Sequence, residues 1–502
     1  MRALALAGVV AVVLAVASVW GSFVAGGSDS YCYVHQAERW ASGQLQVVEP
    51  LALDAPWPDA PLAFAPVGHR PSPTRPGAIV PICPSGLSIA MVPFLWLGGP
   101  GAVFLVVPLF GILLVLATDA VGRRFGSRIG LASSALVASS PVFLYQLVQP
   151  MSDVPAAALW MLAVAFTTAT TRHHGAMAGL AASAAILVRP NLLPLGVVMG
   201  LFLLLRPERR WRARLYDAVE YAACCVPGCL LVVLIQQALH GSPFASGYGP
   251  ADTIFALSNV IPNAARYPAW LIETETPFIA IAAVAPFLLP GGLTWLLGGL
   301  ILVNLGLYLP YAVFEDWSYI RFLLPTLPLV LILAVAVLDG VCRRVGLRRT
   351  HGVLAVTTVV LMAFTWCEAR EHNVFRLRDL EARFERTGLF VDRRLPRNAL
   401  VVTSGHSGSV RFYAGRRTLT WDGLPPEWLD RALAFVRTQG FEPYLLLESW
   451  EEPFFRSRFK GSPIGELDWP PMAEVASQIR IYEPEGRERY RQGTIAPTEY
   501  AP

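Results

Sequence analysis

Lysine is almost missing from this chain: Lys460 is the only one among 40 basic residues. No G-x-x-x-x-G-K-[ST] loop exists, which argues against an ATP-driven pump. Histidine and cysteine are thin as well, eight and seven in 502 residues, and they are scattered at no spacing that suggests a zinc site. Charge of either sign is scarce. With 15% charged residues against 54% hydrophobic ones and a mean hydropathy of +0.48, the chain is too apolar for a soluble enzyme and takes the bilayer as its main solvent. A formal charge of +4 gives no reason to invoke nucleic acid, because the arginines have a better explanation in topology.

Long apolar runs are what the chain has instead. The first, ALALAGVVAVVLAVASVWGSFVA at 3–25, exceeds the roughly 7 to 15 residues of a signal-peptide core and reads as a retained first span. Further runs near 86–117, 129–148, 153–170, 175–188, 191–205, 217–239, 277–290, 292–313, 320–338 and 351–367 bring the total to about eleven spans. With the N-terminus inside, the arginines at 123, 124, 128 and 172 and those of RPERRWRAR and CRRVGLRR all fall in cytoplasmic loops. Three segments are then left outside: a first loop at about 26–85, a second at about 240–276, and everything after about 370.

Beyond residue 369 the pattern changes to short strands (ALVVTS, RTLTW, PYLLLE) alternating with helices. The predicted fold is therefore an all-α polytopic membrane domain over 1–368 with a small α/β soluble domain over 369–485 and a flexible tail at 486–502. VVTSGHSGSV in the soluble part approaches the G-x-S-x-G elbow of serine hydrolases. Position 409 is Ser rather than Gly, however, and no histidine follows Ser407.

Chemistry belongs on the outer face, where loops are long and polar residues unusual. Asp29 stands just after the first span, before SYCYVHQAERWASG, whose Tyr33, Ala37, Trp40 and Ala41 recur at helical spacing, as in a helix lying along the interface. Asp29 alone could be an interfacial anchor or a cap. Asp153 opens a span in SDVPAAALW and alone could be an ordinary helix cap. Arg189 interrupts an apolar hairpin at LVRPN, where an unpaired charge costs about 2.5–3.5 kcal/mol, so it needs a partner, structural or phosphate. Arg321, beside Tyr319, is suited to a phosphate by its two-pronged guanidinium, or to snorkelling at the interface. His69, Arg70 and Arg75 in the first loop, with Tyr31 and with Tyr248 of SGYG, are candidate substrate contacts.

Taken in order, the acid after the first span, the interfacial helix, VPICPSGLSIAMVPF, Asp-Val-Pro, LVRPN and DWSYIRFLLPTLPLVLIL together resemble the C-type superfamily of membrane glycosyltransferases. The branch is the bacterial one related to protein mannosyltransferases and lipid A aminoarabinose transferases. The resemblance covers residues 1–368. It implies transfer of a sugar from a polyprenyl-phosphate carrier to a hydroxyl acceptor on the outer face of the bacterial cytoplasmic membrane, with the C-terminal domain outside. It makes Asp29 the catalytic acid and Asp153 a second acidic site that in some members helps hold a divalent metal. The acidic pair of some relatives is lacking here, since Ser30 and Tyr31 follow Asp29. The alternative is a secondary transporter or lipid-linked sugar flippase with an accessory outer domain. Cys32 and Cys83, the two cysteines of the first outer loop, are candidates for a disulfide in an oxidising compartment.

Overall fold

Proline decides where the apolar runs break. A residue before proline is pushed out of the α region, and Ser140, Arg189 and Thr276 have ψ of 127°, 88° and 161° ahead of Pro141, Pro190 and Pro277. The computed structural model describes residues 2–207, 209–346, 350–494 and 497–501, so Arg348 and Arg349 of the CRRVGLRR loop lie outside the described residues. Among the described residues, four helices are long and apolar enough to cross a bilayer: Arg2–Trp20, Pro100–Gly122, Trp211–His240 and Thr350–Glu371. Three helix pairs bent by 61°, 114° and 81° raise this to seven when each pair counts as one span, and five apolar helices of 10–17 residues accompany them.

Two runs differ from the sequence expectation. The stretch 86–117 is two helices, divided at Gly99, whose φ of +74° precedes Pro100. The run at 277–290 has a partner in Leu257–Glu275, which the sequence reading leaves in an outer loop; the two form the pair bent by 114°. Arg266, Pro268, Glu273 and Glu275 lower the apolarity of that helix enough to hide it.

By its contacts the chain forms two units. The helical one comprises Met1–Gly21, Pro84–Ile235 and Gly249–Arg378. Its helices approach closely where side chains are small. Gly175 and Gly179 of GAMAG lie against the carbonyls of Asp217 and Tyr221, where an added Cβ would come within 2.4 and 2.3 Å. This small-x-x-x-small spacing is how apolar helices pack when no hydrophobic effect drives them together. Acids near helix ends hold arginines: Asp119 pairs with Arg2 at 2.6 Å and Arg123 at 3.3 Å, and Asp217 with Arg206 at 2.9 Å and Arg209 at 2.8 Å.

The second unit comprises Ser22–Cys83, Gln236–Tyr248 and Asp379–Pro502. Besides a three-stranded sheet of the first loop, it holds a sheet of six strands in the order Arg417–Leu419, Ala399–Val402, Glu442–Glu448, Ile479–Tyr482, Ala473–Val475, Glu499–Ala501. The first three are parallel, and Ile479–Tyr482 runs antiparallel to both of its neighbours. Alternation along each strand supplies two cores: Leu400 and Val402 face one, Ala399 and Val401 the other. The first loop belongs to this unit, since Leu51, Trp57 and Phe64 share the core of Leu400, Leu419, Leu433 and Leu445. The segment expected as a tail contributes helix Gly486–Arg491 and the edge strand Glu499–Ala501, parallel to Ala473–Val475. Its polar composition conceals a strand that only the sheet edge makes useful.

Cys32 and Cys83 form a disulfide with a Cα separation of 6.2 Å across 51 residues of chain. It ties helix Asp29–Ala41 to the end of the first loop. Replacing both cysteines by serine is expected to lower stability by about 2–4 kcal/mol, read as a lower midpoint in tryptophan-monitored thermal unfolding of the detergent-solubilised protein. An unchanged midpoint would mean the surrounding packing already fixes the loop.

Candidate active site

Two clusters of polar groups stand out, one in each unit. In the helical unit Asp153 is the first residue of helix Asp153–Thr167, and Ser152 before it makes no side-chain cap bond. Capping therefore does not explain the acid. Its carboxylate is fully buried and accepts from Arg189 Nη2 at 2.6 Å. Arg189 occupies the break that Pro190 enforces between His174–Val188 and Pro190–Leu192. Its Nε donates to Ser152 Oγ at 3.3 Å and its Nη1 to Tyr308 Oη at 3.5 Å. Asn191 Nδ2 donates to the same phenol at 2.7 Å.

The Tyr308 ring stacks on Phe322 at 4.9 Å, and both arginines gather on that surface. The Arg189 guanidinium lies 5.8 Å from the Phe322 centroid, and that of Arg321 lies 5.5 Å from it and 5.3 Å from Tyr319. Such placement fixes a cation while leaving its N–H edges directed by the ring plane. Asn263 and Tyr267 hold the backbone beneath, donating to the carbonyls of Tyr311 at 2.7 Å and Tyr308 at 3.2 Å. Thus Asp-Val-Pro, LVRPN and the aromatic-Arg segment, separate in sequence, converge. Tyr308, Asn191 and Phe322 were not anticipated; Asn191 and Phe322 lie inside motifs that were, whereas Tyr308 reads as an ordinary interfacial aromatic.

Hard divalent cations take several oxygen ligands. Among the described residues no three His, Cys, Asp or Glu side chains are grouped to hold one, and one oxygen of Asp153 already neutralises a guanidinium.

In the mixed unit Asp29 is half-buried in the first turn of helix Asp29–Ala41. That turn is set from outside. Gly68, at φ +78°, passes so close that a Cβ there would meet Ser28 O at 2.5 Å, and the disulfide clamps the next turn. Tyr31 stacks on His35 at 5.1 Å and tilts against His69 at 5.2 Å, while His35 Nδ1 and His69 Nε2 share a hydrogen bond of 3.0 Å. His35 had no role in the sequence reading, although its i+4 relation to Tyr31 is visible there. Of the remaining candidates, Arg70 donates to the carbonyls of Ser246 and Gly247 at 3.4 and 3.3 Å, which gives it a structural role over the SGYG turn. Tyr248 is 44% exposed and Arg75 is exposed. Ser407 is buried, donates to Ser404 O at 2.7 Å and accepts from Val67 N at 3.0 Å, a tie between the first loop and the sheet unlike an exposed nucleophile.

The hydrogen bond sets an N–H of one ring against the lone pair of the other, an arrangement open to two neutral imidazoles. Burial, aided by Arg411, holds His69 down at about 3, and burial with the charges of His69 and Arg39 lowers His35 well below its ordinary value. A folded-state value below the unfolded one of about 6.5 means the unfolded chain takes up protons first as pH falls. The pair's contribution is complete above about pH 6.5 and is lost below it. Between pH 7 and 5, His69 alone should cost about 2 kcal/mol of stability, seen as a falling thermal midpoint. A His69→Gln variant should show a flatter pH dependence, and an identical one would remove the pair from the account.

Residues 98–235 match the family model described as dolichyl-phosphate-mannose-protein mannosyltransferase. No curated protein matches in sequence. The fold resembles ArnT from Cupriavidus metallidurans, with a TM-score of 0.57 in the apo state and 0.54 bound to undecaprenyl phosphate. Identity is 13% in each case, over 95% of this chain and 97% of the other. The Archaeoglobus fulgidus oligosaccharyltransferase, in complex with Zn and sulfate, aligns at TM-score 0.54 and 10% identity, over 90% of this chain and 69% of its own. Many apolar helices with a small mixed-sheet unit are the fold that the chain shares with these solved structures. The family model spans 138 of the 502 residues, and over the rest of the chain the likeness is one of fold.

Proposed function

We propose that the chain moves a sugar from a polyprenyl-phosphate donor to a hydroxyl acceptor on the outer face of a bacterial cytoplasmic membrane, with Asp29 as general base. The acceptor O–H gives its proton to the carboxylate as its oxygen bonds the anomeric carbon, and the bond from that carbon to the phosphate oxygen breaks. The departing polyprenyl phosphate gathers negative charge, which guanidinium groups offset. Arg321, braced on Tyr319 and Phe322, is assigned to that phosphate. Arg189 supports it from its pairing with Asp153. The observation that carries the reading is the fixed setting of Asp29, an acid at the start of a helix pinned by a disulfide and a glycine contact. The four long apolar helices and the three bent pairs support a multi-pass arrangement. Incubating the purified protein with labelled polyprenyl-phosphate sugars and membrane acceptors tests it: label should pass to an acceptor. Release of label to water alone would oppose the reading.

Topology has its own test. A reporter active only in the periplasm, fused after residue 370, is expected to be active, because the arginine-bearing loops place the C-terminal segment outside. A cytoplasmic readout would put Asp29 on the wrong side.

A further inference from the structure

The reversal after helix Asp29–Ala41 builds a cavity apart from the roles assigned above to Asp29, Arg189 and Arg321. Gly43 takes a φ of +69° and Gln44 N returns to Arg39 O at 2.9 Å, so the chain doubles back toward strand Val47–Val48. Gln46 Nε2 then donates to Thr74 Oγ1 at 3.1 Å and to Ala238 O at 3.3 Å. Three segments of the mixed unit are thereby drawn around a hollow of about 730 Å³, within the roughly 300–1,000 Å³ of small-molecule sites. Its walls combine the guanidinium groups of Arg39 and Arg75 with the apolar side chains of Leu45, Val47, Val48 and Leu239.

The charge in this hollow is unbalanced. Arg39 Nε is buried and makes no hydrogen bond among the described residues. Burial raises the adjacent acid Glu38 and Arg39 opposes that shift, so at most one carboxylate stands against two guanidinium groups. The C-terminal end of the helix offers only about half a negative charge against two full positive ones. A phosphate suits two planar guanidinium forks. The apolar wall beside them suits a hydrocarbon, which free phosphate lacks.

We propose that this cavity binds an anionic amphiphile, its phosphate-bearing head between Arg39 and Arg75 and its adjoining apolar part against Leu45, Val47, Val48 and Leu239. Ten helical residues separate Arg39 from Asp29, about 15 Å of rise. An amphiphile with a hydroxyl that far from its phosphate therefore qualifies as the acceptor, an extension that rests on the reading of Asp29 as base.

The test uses the full chain in an uncharged maltoside detergent, titrated calorimetrically with dihexanoyl phosphatidic acid. Dihexanoyl phosphatidylcholine and inorganic phosphate are the controls. Phosphatidic acid should bind at least tenfold tighter than either control. An Arg39→Gln, Arg75→Gln double variant should lose at least tenfold in that affinity, and Arg75→Gln alone, at an exposed position where folding is not at stake, should lose severalfold. Equal affinity for inorganic phosphate would reduce the cavity to a simple anion site. Equal binding of phosphatidylcholine would remove the charge argument, and unchanged affinity in the double variant would place the ligand elsewhere; any of the three overturns the proposal. No sugar transfer enters the measurement, so its failure is separate from any failure of Asp29 as base.

Discussion

Asp29→Asn is expected to lower sugar transfer ~10²- to 10⁴-fold, the usual loss on removing a general base. The amide keeps the size of the carboxylate and its ability to accept a hydrogen bond, so the first turn of helix Asp29–Ala41 should survive. The clamps around it do not depend on the charge: the Cys32–Cys83 bridge, the contact of Gly68 with Ser28, and the His35–His69 hydrogen bond all remain. The variant should therefore insert, form its disulfide, unfold at the wild-type midpoint and still bind the donor lipid. Turnover alone should collapse, by an amount equal to about 2.7–5.5 kcal/mol of transition-state free energy. Initial rates with a labelled polyprenyl-phosphate sugar decide it. Near-wild-type transfer would return Asp29 to an interfacial anchor. Lost transfer together with a lowered unfolding midpoint would mark a structural acid instead.

Features that violate a local rule are the ones legible in advance. A charge or a proline inside an apolar run is conspicuous, which is why Asp153, Arg189 and Arg321 stand out from the sequence. Their partners are not conspicuous. Arg189 meets an acid 36 residues earlier and a phenol 119 residues later, and no periodicity encodes either distance. The strands at 399–402, 417–419 and 442–448 are readable as short apolar runs between turn residues. The place of the first loop in the same core is not, because Trp57 and Phe64 look like scattered apolar residues of a solvated loop until Leu419 and Leu433 cover them. Helix Val260–Glu275 is hidden by its charges for the opposite reason. Asn263 and Glu275 are buried there on internal partners, a satisfaction that composition cannot register.

The buried pair of Asp153 and Arg189 makes the second large prediction. Asp153→Ala would leave a guanidinium that is 9% exposed with no carboxylate at 2.6 Å, and breaking such a pair typically costs about 3–5 kcal/mol. Ser152 and Tyr308 still accept from Arg189, but neutral oxygens do not replace a counter-charge, so the thermal midpoint should fall steeply. Adding Arg189→Met removes the orphaned cation and should restore most of the loss, since replacing both members of a buried ion pair by apolar groups is often neutral. A double variant as unstable as Asp153→Ala would show that the pair does not act as a unit. The same double variant separates two roles of the arginine. If Arg189 serves only to hold the break before Pro190, the restored protein should also regain transfer. If its guanidinium also supports the donor phosphate beside Arg321, the protein will be stable but will need a higher donor concentration for half-maximal rate, and that stable, slow enzyme is the outcome expected.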